Sequence, residues 1–223
     1  MGTVQIVSET AAKRDSPGIS VYVFHRIALE KKIRYMFRDV PAKIFKLKNT
    51  DFFTPEQGVY PTMGVDRVAA LYGAKLHYTL PALVIDGGTA MTYTVLDENS
   101  NIVGGGIGPG VKLKLQSLSD YTGSLPSIDH KRFKSIVEEA INSKTPIPFF
   151  AKDTEVAMIS SVCGELACHL RNIVKQFVSQ FQPNASTAAN VSEVAKKEKK
   201  LTVIITGGDG KFLQDLLERD ASG

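Results

Sequence analysis

The stretch Leu83–Gly110, LVIDGGTAMTYTVLDENSNIVGGGIGPG, decides how the rest of the chain is read. Leu83, Val84 and Ile85 form a short apolar run, the mark of a buried strand. Asp86 ends that run, and Gly87 and Gly88 follow, where the backbone turns tightly and a ligand approaches closely. Tyr93 to Leu96 reads as a second strand, and Asp97-Glu98-Asn99-Ser100 has turn composition. A second glycine cluster, Gly104 to Gly110, follows Ile102 and Val103. Either cluster alone is satisfied by a tight hairpin. Both together, around two strands and an acid, suit a phosphate site, because backbone N–H groups bind phosphate oxygens and a carboxylate holds the cation that neutralises them.

Outside this stretch the composition sets broad limits. The chain has 223 residues, 43% of them hydrophobic, with a net charge of +4, which suits one large or two small α/β units with a real core. No run reaches the length of a membrane span, and the first residues carry no apolar signal region. The expectation is a soluble, cytoplasmic protein without membrane or nucleic-acid partners, the basic run Lys196–Lys200 being a solvated linker. Cys163 and Cys168 fall on different faces of a predicted helix and read as unbridged core residues. His25, His77, His130 and His169 show no metal-ligand spacing, and no zinc site is expected.

Strands are predicted at Gly18–Phe24, Lys43–Lys48 and Leu201–Ile205, and helices at Ile27–Phe37, from Gly64 to about Ala74, at Ile128–Ser143 and from Thr154 onward. The last carries a stripe of Ile159, Cys163, Leu166, Leu170, Val174, Phe177 and Phe181, wide enough to serve a partner. Residues 182–200 are polar and read as a surface insertion or disordered loop. Asp66 near a helix start has a structural reading, complementing the free N–H groups, and so has Thr154 as part of a cap. Thr206-Gly207-Gly208 is a third glycine turn, between a strand and a helix.

Several of these segments, in order, resemble the type III pantothenate kinases. Asp86-Gly87-Gly88-Thr89-Ala90-Met91-Thr92 resembles their DxGTAxT motif, and Gly105-Gly106-Ile107-Gly108-Pro109-Gly110 their GGxIxPG loop. Gly64-Val65-Asp66-Arg67 matches GxDR, and Leu125-Pro126, Asp153-Thr154 and Thr206-Gly207-Gly208 follow in sequence. The resemblance implies an actin-like (ribonuclease H-like) ATPase fold: two related α/β domains about a nucleotide cleft, here a remnant over residues 1–80 and a second domain over 81–223. It implies phosphorylation of pantothenate by ATP, the first step towards coenzyme A, in a homodimer. Asp66 is then the general base, and Gly64, Val65, Asp66, Arg67 and Thr154 contact pantothenate. Gly87, Gly88, Thr89, Gly207 and Gly208 contact ATP with Mg2+, and Asp86 holds a monovalent cation, K+ or NH4+.

The resemblance is incomplete at its start. The family opens with a strand carrying D-x-G-N-T, which binds ATP phosphates, and these residues show no such segment. An incomplete reading frame and a divergent, non-catalytic binding or regulatory paralogue both account for that. Asp153 also stands where the family pattern has Asn. Each charge-assisted hydrogen bond to phosphate contributes roughly 1.5–3 kcal/mol. Losing about two or three therefore costs several orders of magnitude at about 1.4 kcal/mol per tenfold. The 223-residue chain is expected to bind magnesium-ATP very weakly by isothermal titration. A dissociation constant in the micromolar range or below would show that its own N-terminal residues rebuild the phosphate site.

Overall fold

The computed structural model describes residues 4–8, 20–23, 43–143, 145, 147–182 and 200–218. In chain order the strands are Val4–Ser8 (β1), Ser20–Val23 (β2), Lys43–Lys46 (β3), Ala82–Gly87 (β4), Ala90–Leu96 (β5), Ile102–Pro109 (β6) and Leu201–Thr206 (β7). The helices are Val65–His77 (α1), Val111–Tyr121 (α2), His130–Asn142 (α3), Thr154–Phe181 (α4) and Gly210–Glu218 (α5). The predicted helix at Ile27–Phe37 and nearly all of the polar stretch 182–200 lie outside the described residues.

A five-stranded sheet in the order β1-β7-β4-β5-β6 forms the centre, with β2 and β3 pairing as a separate two-stranded parallel ribbon. β1, β7 and β4 run parallel, with Asp86 opposite Thr206, while β4, β5 and β6 form an antiparallel meander. The fold is mixed α/β. β1 pairs with β7 across nearly the whole sequence, and α1 packs on β4 and β5.

Both faces of the central strands are covered, which is why β4 and β7 read as unbroken apolar runs. Successive side chains alternate between faces. Leu83, Ile85, Val203 and Ile205 meet Leu115, Phe133, Ile159, Leu166, Leu170 and Leu213 on the α2–α5 side. Ala82, Val84 and Ile204 meet Phe53, Val68 and Leu71 on the α1 side. The stripe on α4 expected to serve a partner is thus occupied by the chain's own core, because the sheet needs that face to exclude water from Leu83 and Ile85.

Two local readings change. The second glycine cluster is not a loop but the edge strand β6, running antiparallel to β5 with a register shift at Val95/Leu96. Glycine's low strand propensity is overridden by the pairing that the Asp97–Ser100 turn sets up. In that turn Asp97 Oδ1 accepts from the N–H groups of Asn99 at 2.9 Å and Asn101 at 2.7 Å. Cys163 is buried, and burial pushes its thiol up to about 12, but Cys168 is exposed rather than in the core.

Gly110 joins β6 to α2 and donates its N–H to the Thr89 carbonyl at 3.0 Å. A Cβ at Gly110 would overlap the Gly88 carbonyl oxygen, whereas one at Gly108 meets nothing within 4 Å. Gly110→Ala is therefore expected to cost about 1–3 kcal/mol, as overpacking does. Gly108→Ala serves as a near-neutral control in the same urea titration. Equal midpoints for the two variants would show that the hairpin yields at Gly110 without cost.

Candidate active site

Ligands in open α/β sheets bind beyond the carboxyl ends of the parallel strands. In this chain β4 ends there on Asp86 and Gly87, and β7 on Thr206, followed by Gly207 and Gly208. The two ends are neighbours in register, and the backbone N–H of Asp209 donates to the Gly87 carbonyl at 2.8 Å, joining the β7–α5 turn to the β4–β5 hairpin. Gly207 has a left-handed φ of 93° and lies so close to β4 that a Cβ would overlap Asp86 Oδ1 and the Gly87 carbonyl. Only glycine satisfies both conditions. Gly88 and Thr89 form the hairpin tip, with Thr89 exposed and the Gly88 N–H donating to the Ala90 carbonyl at 3.2 Å.

Asp66 and Arg67 arrive from the other face, on the first turn of α1. Gly64 is the N-cap residue, so Asp66 is not the cap. Its exposed carboxylate accepts the N–H of Arg67 at 2.8 Å and keeps its remaining lone pairs for a ligand. Arg67 points inward and is buried, and Val65 beside it is buried too. The Arg67 guanidinium donates through Nε to Thr94 Oγ1, to the Tyr60 hydroxyl at 3.0 Å and to the Tyr93 carbonyl at 3.2 Å. It meets no carboxylate among the described residues. Arg67 therefore anchors α1 to β5 and fixes the angle at which Asp66 is presented.

The two acids converge at one end of the sheet. Burial pushes the Asp86 carboxyl above the usual carboxylate range, and the Asp66 charge raises it further. No hydrogen bond or ion pair to the Asp86 carboxylate occurs among the described residues. A half-buried carboxylate facing a second one is stabilised by a nearby cation, so these oxygen donors suit one. No group of three or more His, Cys, Asp or Glu residues that could hold a metal occurs among the described residues, so such a cation would complete its shell with water, carbonyl or phosphate oxygens.

A further carboxylate was not marked by the sequence. Asp209 is buried, and its Oδ1 lies 2.8 Å from Nε2 of His130 and 3.9 Å from Nζ of Lys134, both on α3. His130 and Asp209 are 79 positions apart, beyond the reach of any local spacing rule.

A model of the family described as type III pantothenate kinase matches residues 19–176. The chain belongs to the type III pantothenate kinase family. The type III pantothenate kinase of Nostoc sp. is 39% identical over 127 residues, covering 57% of this chain and 42% of that protein. That of Synechocystis sp. is 32% identical over 183 residues, 82% of this chain and 59% of its own length. That of Flavobacterium johnsoniae is 26% identical, with 94% of this chain and 85% of the relative aligned. The chain thus spans about half the length of the first two relatives. No helix among the described residues is long and apolar enough to cross a membrane.

For this member of the type III pantothenate kinase family, the described structure groups Asp66, Asp86, Gly87, Gly88, Thr89, Gly207 and Gly208 around one sheet end. Thr154 lies on a different element. It is the exposed first residue of α4, whose N-cap Asp153 accepts the Val156 N–H at 3.0 Å. Among the described residues it joins the others only indirectly, through Glu155 paired with Arg132 at 2.8 Å and α3 leading back to Asp209.

Because the folded chain raises the Asp86 pKa, the folded state binds more protons there than the unfolded one. Stability therefore falls as pH rises from the ordinary aspartate value, about 3.9, through the raised folded value, and the penalty remains at neutral pH. Asp86→Asn should melt a few degrees higher than the wild type at pH 7, with the gap narrowing towards pH 4. A variant that melts lower at pH 7 would show that the Asp86 charge stabilises the fold.

Proposed function

We propose that the protein transfers the γ-phosphoryl group of ATP to the primary hydroxyl of pantothenate, forming 4'-phosphopantothenate and ADP. The observation that carries this reading is the convergence of Asp66 and Asp86 at the end of β4, beside two glycine turns joined by the Asp209–Gly87 hydrogen bond. Family membership supports it from a separate direction.

Asp66 has the exposure a general base needs. Its carboxylate takes the hydroxyl proton as that oxygen attacks the γ-phosphorus, and the bond between the γ-phosphorus and the bridging oxygen breaks to release ADP. Gly64 and Val65 shape the same first turn of α1, and Arg67 orients it while pantothenate lies against it. Thr154 is proposed as a further pantothenate contact. The Gly87-Gly88-Thr89 and Gly207-Gly208 turns would line the phosphate side, with the N–H groups of Thr89, Gly207 and Gly208 as its donors while the Gly88 N–H stays on the Ala90 carbonyl; donors fixed in this way cost no reorganisation. Asp86 is the residue that would hold K+ or NH4+, and Mg2+ accompanies ATP; these cations neutralise charge on the phosphates. A homodimer in the cytoplasm and the two-domain actin-like fold complete the reading. A binding paralogue without turnover would keep the same site, and one experiment separates the two.

Asp66→Asn should keep its melting temperature and lose turnover by about 10²- to 10⁴-fold. The assay is pantothenate-dependent ADP release in potassium, repeated in sodium at matched ionic strength. Wild-type ADP release that depends on pantothenate and falls in sodium supports the kinase and the role of Asp86. Saturable pantothenate binding with no ADP release, persisting in a protein that carries the family's D-x-G-N-T strand ahead of these residues, would identify the non-catalytic paralogue. An Asp66→Asn variant that melts lower and turns over normally would return Asp66 to a structural role.

A further inference from the structure

We propose that His130 is a positioning residue for the nucleotide side of this site, acting through Asp209; the proposal rests on the kinase reading above. A chain of contacts runs from the core to Asp86. Phe133 is buried and packs edge-on against Phe212 with ring centroids 5.2 Å apart. The His130 ring lies parallel to Phe133, at 6.4 Å between centroids and 5° between planes, one turn away on α3. Asp129, the N-cap of that helix, accepts the Arg132 N–H at 2.7 Å and fixes the first turn from which His130 projects.

From this support Nε2 of His130 reaches Asp209 Oδ1 at 2.8 Å. A carboxylate only accepts, so Nε2 carries the proton in this contact. Asp209 is buried, and Lys134, which also faces it, stands off at 3.9 Å. Without His130 the carboxylate would be buried with one distant partner, and such a group moves towards water. The main chain of Asp209 cannot follow without consequence. Its N–H makes the bond to Gly87, its carbonyl accepts the Leu213 N–H at 3.0 Å, and Gly207 just before it backs onto Asp86. A shift of Asp209 therefore displaces the Gly207–Gly208 donors and the wall against which Asp86 is held. The α1 side, with Asp66 and Arg67, is tied to β5 through Thr94 and Tyr93 and does not depend on this link.

The asymmetry makes the role testable. In His130→Ala, amide exchange at Asp209 and at Gly88–Ala90 should rise about tenfold or more, with exchange across α1 unchanged. The KM for magnesium-ATP should rise about tenfold, with the KM for pantothenate unchanged. His130→Gln places an amide N–H at the reach of Nε2 and should restore both readouts. A purely structural histidine would instead lower the melting temperature and the amount of active enzyme without splitting the two KM values. Unchanged exchange at Asp209, a parallel rise in both KM values, or a Gln variant that behaves like Ala would each overturn the proposal. If the wild-type protein shows neither turnover nor a melting shift with millimolar magnesium-ATP, its phosphate site is as weak as the sequence leads one to expect, and the KM comparison gives way to amide exchange. The exchange comparison of the Ala and Gln variants then still decides whether His130 holds the turn.

Discussion

The parallel pairing of β4 with β7 is the constraint on which the site depends. It sets Asp86 opposite Thr206, so the chain leaves the two strands at adjacent points and both glycine turns face one space. The Asp209–Gly87 hydrogen bond then locks the turns together, and Gly207 permits the approach by having no side chain. Strands buried on both faces cannot slip in register without carrying Leu83 and Ile85 to the wrong side, so the site inherits its geometry from the core.

Charge is distributed unevenly around this frame. Arg67 and Asp209 are buried and act as connectors: one ties α1 to β5 through neutral oxygens, the other ties β7–α5 to α3 through His130. Asp66 and Asp86 are left facing a common space, and Asp86 bears the cost in its raised pKa. The buried charges are thus paired within the fold, whereas the Asp86 carboxylate meets no partner among the described residues, and perturbed acids of this kind cluster at functional sites.

Much of this was legible in the chain. The LVIDGG run marked a strand with an acid at its end, and GVDR marked a helix start, because both signals lie within a few consecutive residues. The motif order placed the chain in its family. Other features resisted. The glycine cluster at Gly104–Gly108 forms an edge strand because its partner β5 imposes the ladder, a non-local effect that propensity cannot report. The exposure of Cys168 and the burial of the α4 stripe depended on which face met the sheet.

By itself, then, the sequence determined most of the local elements and the family, and marked Asp66 and Asp86 as candidates, since these depend on short-range pattern and motif order. Only the tertiary structure decided that β1 joins β7, that Asp66 and Asp86 share one end of the sheet, that Arg67 turns inward, and that His130 meets Asp209. Each of these joins positions far apart in the chain, and such contacts are chosen by burial of the two sheet faces rather than by neighbouring residues.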